Sequence, residues 1–158
     1  MRHPKPLASI DKKNVPLLET FKTISSIVPQ IENKEIEKYV NSPNWLLKYL
    51  SIRKLGKSKQ THRLNKIFAI SMECDAFFFE LCLQIFHEHA KTNPLWLISK
   101  LADENYEHRN NAHQLIRIIY KKKPNELLKY INQCSYITAC KIINILFQTH
   151  QEKIIPFL

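Results

Sequence analysis

The chain has one glycine in 158 residues. Sheets joined by tight hairpins draw on glycine for turn positions with positive φ. Its near absence, beside abundant Leu, Ile and Lys, predicts an all-α protein of about eight to nine helices. Arginine is also scarce, five residues against nineteen Lys. Arg is the side chain best suited to bidentate phosphate and base contacts. The net charge of +10 therefore has two readings. One is a functional basic surface for nucleic acid, anionic lipid or an acidic protein. The other is a Lys-, Ile- and Asn-rich composition of the kind an AT-rich genome produces.

Paired cysteines and long hydrophobic runs are missing too. Cys74, Cys82, Cys134 and Cys140 form no C-x-x-C pair, whereas a structural zinc site usually brings ligands two to four residues apart. Reduced, buried thiols in a cytoplasmic protein are the expectation, with neither metal nor cofactor. The most apolar stretch, Ala76 to Phe86, is interrupted by Glu80 and Gln84 and is too short to span a bilayer. Residues 1–13 are polar, basic and Pro-containing, without the apolar segment of a signal peptide. They read as a flexible N-terminal arm ahead of one helical domain over 14–158.

What is present is a recurring phrase. Pro43-Asn44-Trp45-Leu46-Leu47-Lys48-Tyr49 returns as Pro124-Asn125-Glu126-Leu127-Leu128-Lys129-Tyr130, and Pro94-Leu95-Trp96-Leu97 is a looser copy. Proline suits the first helical position, where its missing N–H has no partner to lose. Each phrase therefore predicts a helix start, with Ser42 and Asn93 as N-caps. Asn14, Thr61 and Asp75 are further cap candidates, and Gly56 stands where a helix C-cap is expected. The segment from Ala76 to Ala90 is apolar nearly all round, as in a helix central to its packing. From Pro94 onward, short and longer helices alternate over Pro94–Ala102, Glu104–Tyr120, Pro124–Ile131 and Tyr136–Phe147. Pro156-Phe157-Leu158 reads as the start of a further unit.

A period near thirty residues built of one short and one longer helix resembles HEAT-type α-α repeats, from about Pro43 to the end. That resemblance implies a short right-handed α-solenoid. An irregular multi-helix bundle stays open beside it. Trp45 and Trp96, at matching places in two copies, then read as core filling between units. Leu46, Leu47, Leu55 and Gly56 also resemble the Leu-rich turns of mitochondrial-terminator-type repeats, which would imply nucleic-acid binding.

Two constellations carry functional expectations. Between Lys38 and Met72 there is no acidic residue, and Lys48, Arg53, Lys54, Lys57, Lys59, Arg63 and Lys66 fall within that stretch. They form the candidate binding surface, with Tyr49, His62 and Phe68 nearby and Lys121-Lys122-Lys123 as a second basic run. Arg109 and His113, one helical turn apart, resemble the Arg-His motif of HEPN-type ribonucleases. Three residues intervene here, where that family places four to six. The resemblance implies an acid or base at His113 and charge stabilisation by Arg109. Glu104 and His108 share the same spacing, and His87-Glu88-His89 is a polar helix end. No nucleophile or metal set stands out. The favoured expectation is a non-catalytic helical-repeat adaptor that binds a protein partner, an acidic one by charge. Nucleic-acid binding is the alternative, and self-association into a homo-oligomer is compatible with either.

Overall fold

The computed structural model describes residues 17–58 and 60–154, with side chains described over 22–149 apart from 33, 34 and 59. The N-terminal arm, the Asn14 cap, Lys59 and Pro156-Phe157-Leu158 lie outside the described residues. Helices account for the architecture, and no strand occurs among the described residues. In chain order they are α1 (Leu17–Ile27), α2 (Asn33–Ile36), α3 (Trp45–Gly56), α4 (Thr61–Glu73), α5 (Ala76–Ala90), α6 (Pro94–Ser99), α7 (Tyr106–Tyr120), α8 (Pro124–Leu128) and α9 (Tyr136–Ile154). Single 3-10 turns follow α1, α2, α6 and α8. The chain divides into two compact units, one ending at Phe68 and one beginning at Ala69, with the boundary inside α4.

In the N-terminal unit, Ile24, Val28, Ile36 and Val40 are buried with Leu46, Leu47, Ile52 and Leu55 of α3. Pro43 does not start α3. The helix begins at Trp45, and Asn44 is its cap, its side-chain oxygen accepting from the Leu47 N–H at 3.0 Å. Ser42 acts one step earlier, accepting from the Asn44 N–H at 3.1 Å. Two cap-competent residues flank Pro43, and the one nearer the helix satisfies the orphan donor. Gly56 is the last helical residue rather than a left-handed cap. Lys57 follows in right-handed geometry, and no described residue has positive φ. Thr61 is the first residue of α4, whose first carbonyl acceptor is Gln60, taking bonds from the Arg63 and Leu64 N–H groups.

Ser51 is fully buried in α3, and its hydroxyl has no partner among the described residues. An unpaired buried hydroxyl costs desolvation without return, and Ala is the better helix former. Ser51→Ala is expected to raise stability by about 1 kcal/mol. Denaturant unfolding measures it, and a lower midpoint for the variant would show that the hydroxyl is paired in solution.

In the C-terminal unit, α5 starts as expected: the Asp75 carboxylate accepts from the Phe78 N–H at 3.0 Å. Its burial is one-sided, however. Phe78, Leu81, Cys82, Ile85 and Phe86 are buried, while Phe77 is 55% exposed. Hydrophobic composition overstated how many faces this helix packs.

The alternation that follows has a fixed register. Pro94 and Pro124 each occupy the first turn of a short helix, and Tyr106 and Tyr136 each begin a longer one, both pairs thirty residues apart. Burial keeps the same offset: Leu97 with Leu127, Ala112 with Ile142, Leu115 with Ile145 and Ile116 with Leu146 are all buried. So does capping. The Asn105 side chain accepts from the Glu107 and His108 N–H groups, and Ser135 Oγ accepts from the Thr138 N–H. Asn93 makes no side-chain cap bond, so Pro94 begins its helix without one. Trp96 fills core as expected, 9% exposed with its ring centroid 5.8 Å from Phe86. Trp45 does not. It is 51% exposed, because it sits at the first position of α3 rather than on its buried face.

Candidate functional site

Charge is divided unevenly. Up to Phe68 the sequence has fourteen Lys and Arg against five Asp and Glu, and from Ala69 on ten against nine. The first unit thus carries +9 of the +10. Its acid-free stretch is less open than the sequence suggests. The Lys54 ammonium, at the end of α3, donates to the Val28 carbonyl at 2.7 Å, to the Pro29 carbonyl at 3.0 Å and to the Ile31 carbonyl. These acceptors belong to the turn that closes α1, where the Val28 carbonyl also takes the Ile31 N–H at 3.4 Å. Burial pulls the Lys54 pKa down.

Glu37, just ahead of the stretch, supplies its counter-charge. Arg63 Nε lies 3.2 Å from Glu37 Oε1, His62 Nε2 lies 3.5 Å from the same oxygen, and Lys66 Nζ lies 3.5 Å from Oε2. Burial alone would raise the Glu37 pKa. The Arg63 hydrogen bond and the Lys66 and His62 charges outweigh it and hold the carboxyl below its usual range. Arg63 also donates to Ser58 Oγ at 2.9 Å. Of the expected surface, Lys54, Arg63 and Lys66 are therefore engaged within the unit. Arg53 and Lys57 are exposed, and Lys48 is half-buried. The missed residue is Glu37: a single acid outside a basic run gives no sequence signal that Arg63, Lys66 and His62 converge on it.

Arg109 and His113 share α7, one turn apart, but face different work. Arg109 Nη1 donates to the Asp103 and Glu104 carbonyls at 2.8 and 2.7 Å, and its guanidinium lies 5.6 Å from the Tyr106 ring centroid. It fastens the loop ahead of α7. Burial, then Arg117 and Lys141, lower the His113 pKa, which favours the neutral imidazole. Glu104 precedes the helix, so its expected one-turn pairing with His108 does not form. His108 lies 3.2 Å from Asp103 instead. Glu88 pairs with Lys91 at 2.6 Å. No group of three metal-ligating side chains occurs among the described residues. Of the cysteines only Cys82 is buried; Cys74 and Cys134 are half-buried and Cys140 is exposed. No helix among them is long and apolar enough to cross a membrane.

The second basic run has the more distinctive setting. At the end of α7, Lys121, Lys122 and Lys123 border a hollow of about 480 Å³ whose apolar lining is Leu83, Ile118 and Ile119. Glu80, Leu83, Gln84 and His87 line its α5 side at helical spacing, so they lie on one face. A smaller hollow of about 320 Å³ adjoins it, reaching Gln148 and Thr149 of α9 and sharing Ile118 and Lys121. Ile118, between the two, is 43% exposed. Comparison with protein-family models, curated proteins and solved structures gave no match.

Proposed function

We propose that this chain is a non-catalytic helical adaptor of the HEAT-like kind, whose groove beside the end of α7 receives an acidic amphipathic helix of a protein partner. The observation that carries the reading is Ile118, an aliphatic side chain left 43% exposed between two hollows. Three lysines border the same groove. An apolar floor takes the hydrophobic anchors of a helix, and cations at the border select acidic flanks and speed encounter. Lys123 is already 3.2 Å from Glu126, so Lys122 carries more of that selection than Lys123 does. Nucleic-acid binding by the N-terminal unit is the second reading, favoured by its +9 charge and exposed Arg53 and Lys57.

The test is fluorescence anisotropy with a labelled Leu/Glu amphipathic peptide, its Leu/Lys counterpart, and a single-stranded DNA, at low and near-physiological salt. The acidic peptide is expected to keep binding in salt, and Ile118→Asp to weaken it about 10-fold, close to the loss of one buried aliphatic contact. Equal affinity for both peptides, or no effect of Ile118→Asp, would count against the groove. DNA binding that survives salt and is lost in Arg53→Glu/Lys57→Glu would favour the second reading.

A further inference from the structure

A basic stripe runs along the seam where α7 packs on α9 in the C-terminal unit. His113, Arg117 and Lys121 stand four residues apart, so they share one face of α7 and its end. Lys141 joins them from α9. Its ammonium donates to the Leu101 carbonyl at 2.6 Å, and an ammonium has two further donors. Burial, with the Arg117 and Lys141 charges, holds His113 below its ordinary pKa, so both cations act on this imidazole.

The seam has no acid of its own. Residues 108–125 contain no Asp or Glu, and neither do residues 127–151. Elsewhere in the chain cations meet carboxylates, as Arg63 and Lys66 do at Glu37 and Lys100 does at Asp103. Arg117 has neither an ion pair nor a hydrogen bond of its side chain among the described residues. Like charges one turn apart on a helix repel, and an anion placed between them reverses that cost.

The stripe also borders a place for the anion. Arg117 and Lys121 line the hollow of about 320 Å³, with Gln148 and Thr149 across from them on α9. Gln148 donates one amide N–H to Asn144 Oδ1 at 3.3 Å, and the amide carries a second. Arg presents a planar fork of donors that matches phosphate oxygens. A phosphomonoester brings about −1.5 to −2 charges and three acceptor oxygens, more than a carboxylate offers. One discrete hollow suits a single phosphate. Its shared border with the groove, at Ile118 and Lys121, ties that phosphate to the groove's occupant.

We propose that this hollow binds a phosphomonoester, carried as phosphoserine on the helix that occupies the adjoining groove. The carrier rests on the groove reading above; the phosphate site rests on the seam alone.

The test has two arms, both on the full chain at near-physiological salt. In an NMR titration, free O-phosphoserine is expected to give saturable shifts at His113, Arg117 and Gln148, and serine and glutamate to give none. In fluorescence anisotropy, a Leu/Glu peptide with one central phosphoserine is expected to bind at least about 10-fold more tightly than the same peptide with serine, the worth of one charge-assisted hydrogen bond. In Arg117→Gln that gain should fall below about 3-fold, while Lys129→Gln, the same change of net charge on α8's side of the unit, should keep it. Arg117 and Lys129 are both exposed, so neither substitution removes a core contact. No saturable shifts from phosphoserine, a gain that survives Arg117→Gln, or equal loss in both variants would overturn the phosphate site. Displacement of phosphoserine by single-stranded DNA that binds more tightly than the phosphopeptide would overturn it in favour of a nucleic-acid backbone. Phosphoserine shifts without binding of either peptide would overturn the groove and its helix as carrier, with the phosphate site standing.

Discussion

Replacing Leu115 by Ala is expected to destabilise the C-terminal unit by about 2–5 kcal/mol. Leu115 is fully buried on α7, and its counterpart thirty residues on, Ile145, is 1% exposed on α9. α7 and α9 are in contact, and each also touches the short helix α8 between them. A cavity at Leu115 therefore removes contacts that neither short helix can replace, because α6 and α8 have only six and five residues. The loss adds a cavity to the lost transfer energy. The matched control is Tyr136→Ala at the start of α9, 84% exposed, expected within about 0.5 kcal/mol of the parent. Chemical denaturation of both variants measures the difference. Equal midpoints would mean that the buried register does not hold the unit together.

Lys54→Met is expected to cost the N-terminal unit about 2–3 kcal/mol, in the range of a charged hydrogen bond. Met retains the length and apolar stem, so the loss reports the ammonium. Without it, the Val28, Pro29 and Ile31 carbonyls lose their shared donor. The Pro29 contact is exposed and water can replace it, whereas those to Val28 and Ile31 are partly buried. That difference keeps the total near one strong bond rather than three. Arg53→Met, at the exposed neighbour, should change little. Amide hydrogen exchange over α3 reads the effect locally. Unchanged protection in Lys54→Met would return Lys54 to the set of surface cations.

Helical content was legible because it depends on composition and local rules. One glycine, periodic Leu and Ile, and Asp75 ahead of an apolar run led directly to α5, whose limits match the expectation at both ends. The thirty-residue spacing was legible because both copies start from Pro at the same helical position. Pro43 misled because the same phrase was read as the same geometry, while Asn44 caps the helix two residues after Ser42. Trp45 was misplaced with it, since a shift in helix start turns its side chain away from the core.

The sites were less legible, because their partners are distant in sequence. Lys54 meets carbonyls more than twenty residues away, and Ser71 meets Asn111 at a separation of forty. A run of lysines looks alike whether it is clamped, paired or open. Only packing distinguishes Lys54, held by three carbonyls, from Lys122, exposed at the border of a hollow. Lys121-Lys122-Lys123 was visible as a basic run. Ile118 gave no signal that it would be left exposed beside it, because its neighbours Ile116 and Ile119 are equally apolar.

The central claim is that the groove beside α7 receives an acidic amphipathic helix. The direct measurement is an NMR titration of the isotopically labelled chain with the Leu/Glu peptide at near-physiological salt. The account expects saturable shifts at residues 80–87 and 117–123, with Gln148 and Thr149 following, and little change over 48–66. Shifts confined to 48–66, or none at saturating peptide, would contradict it.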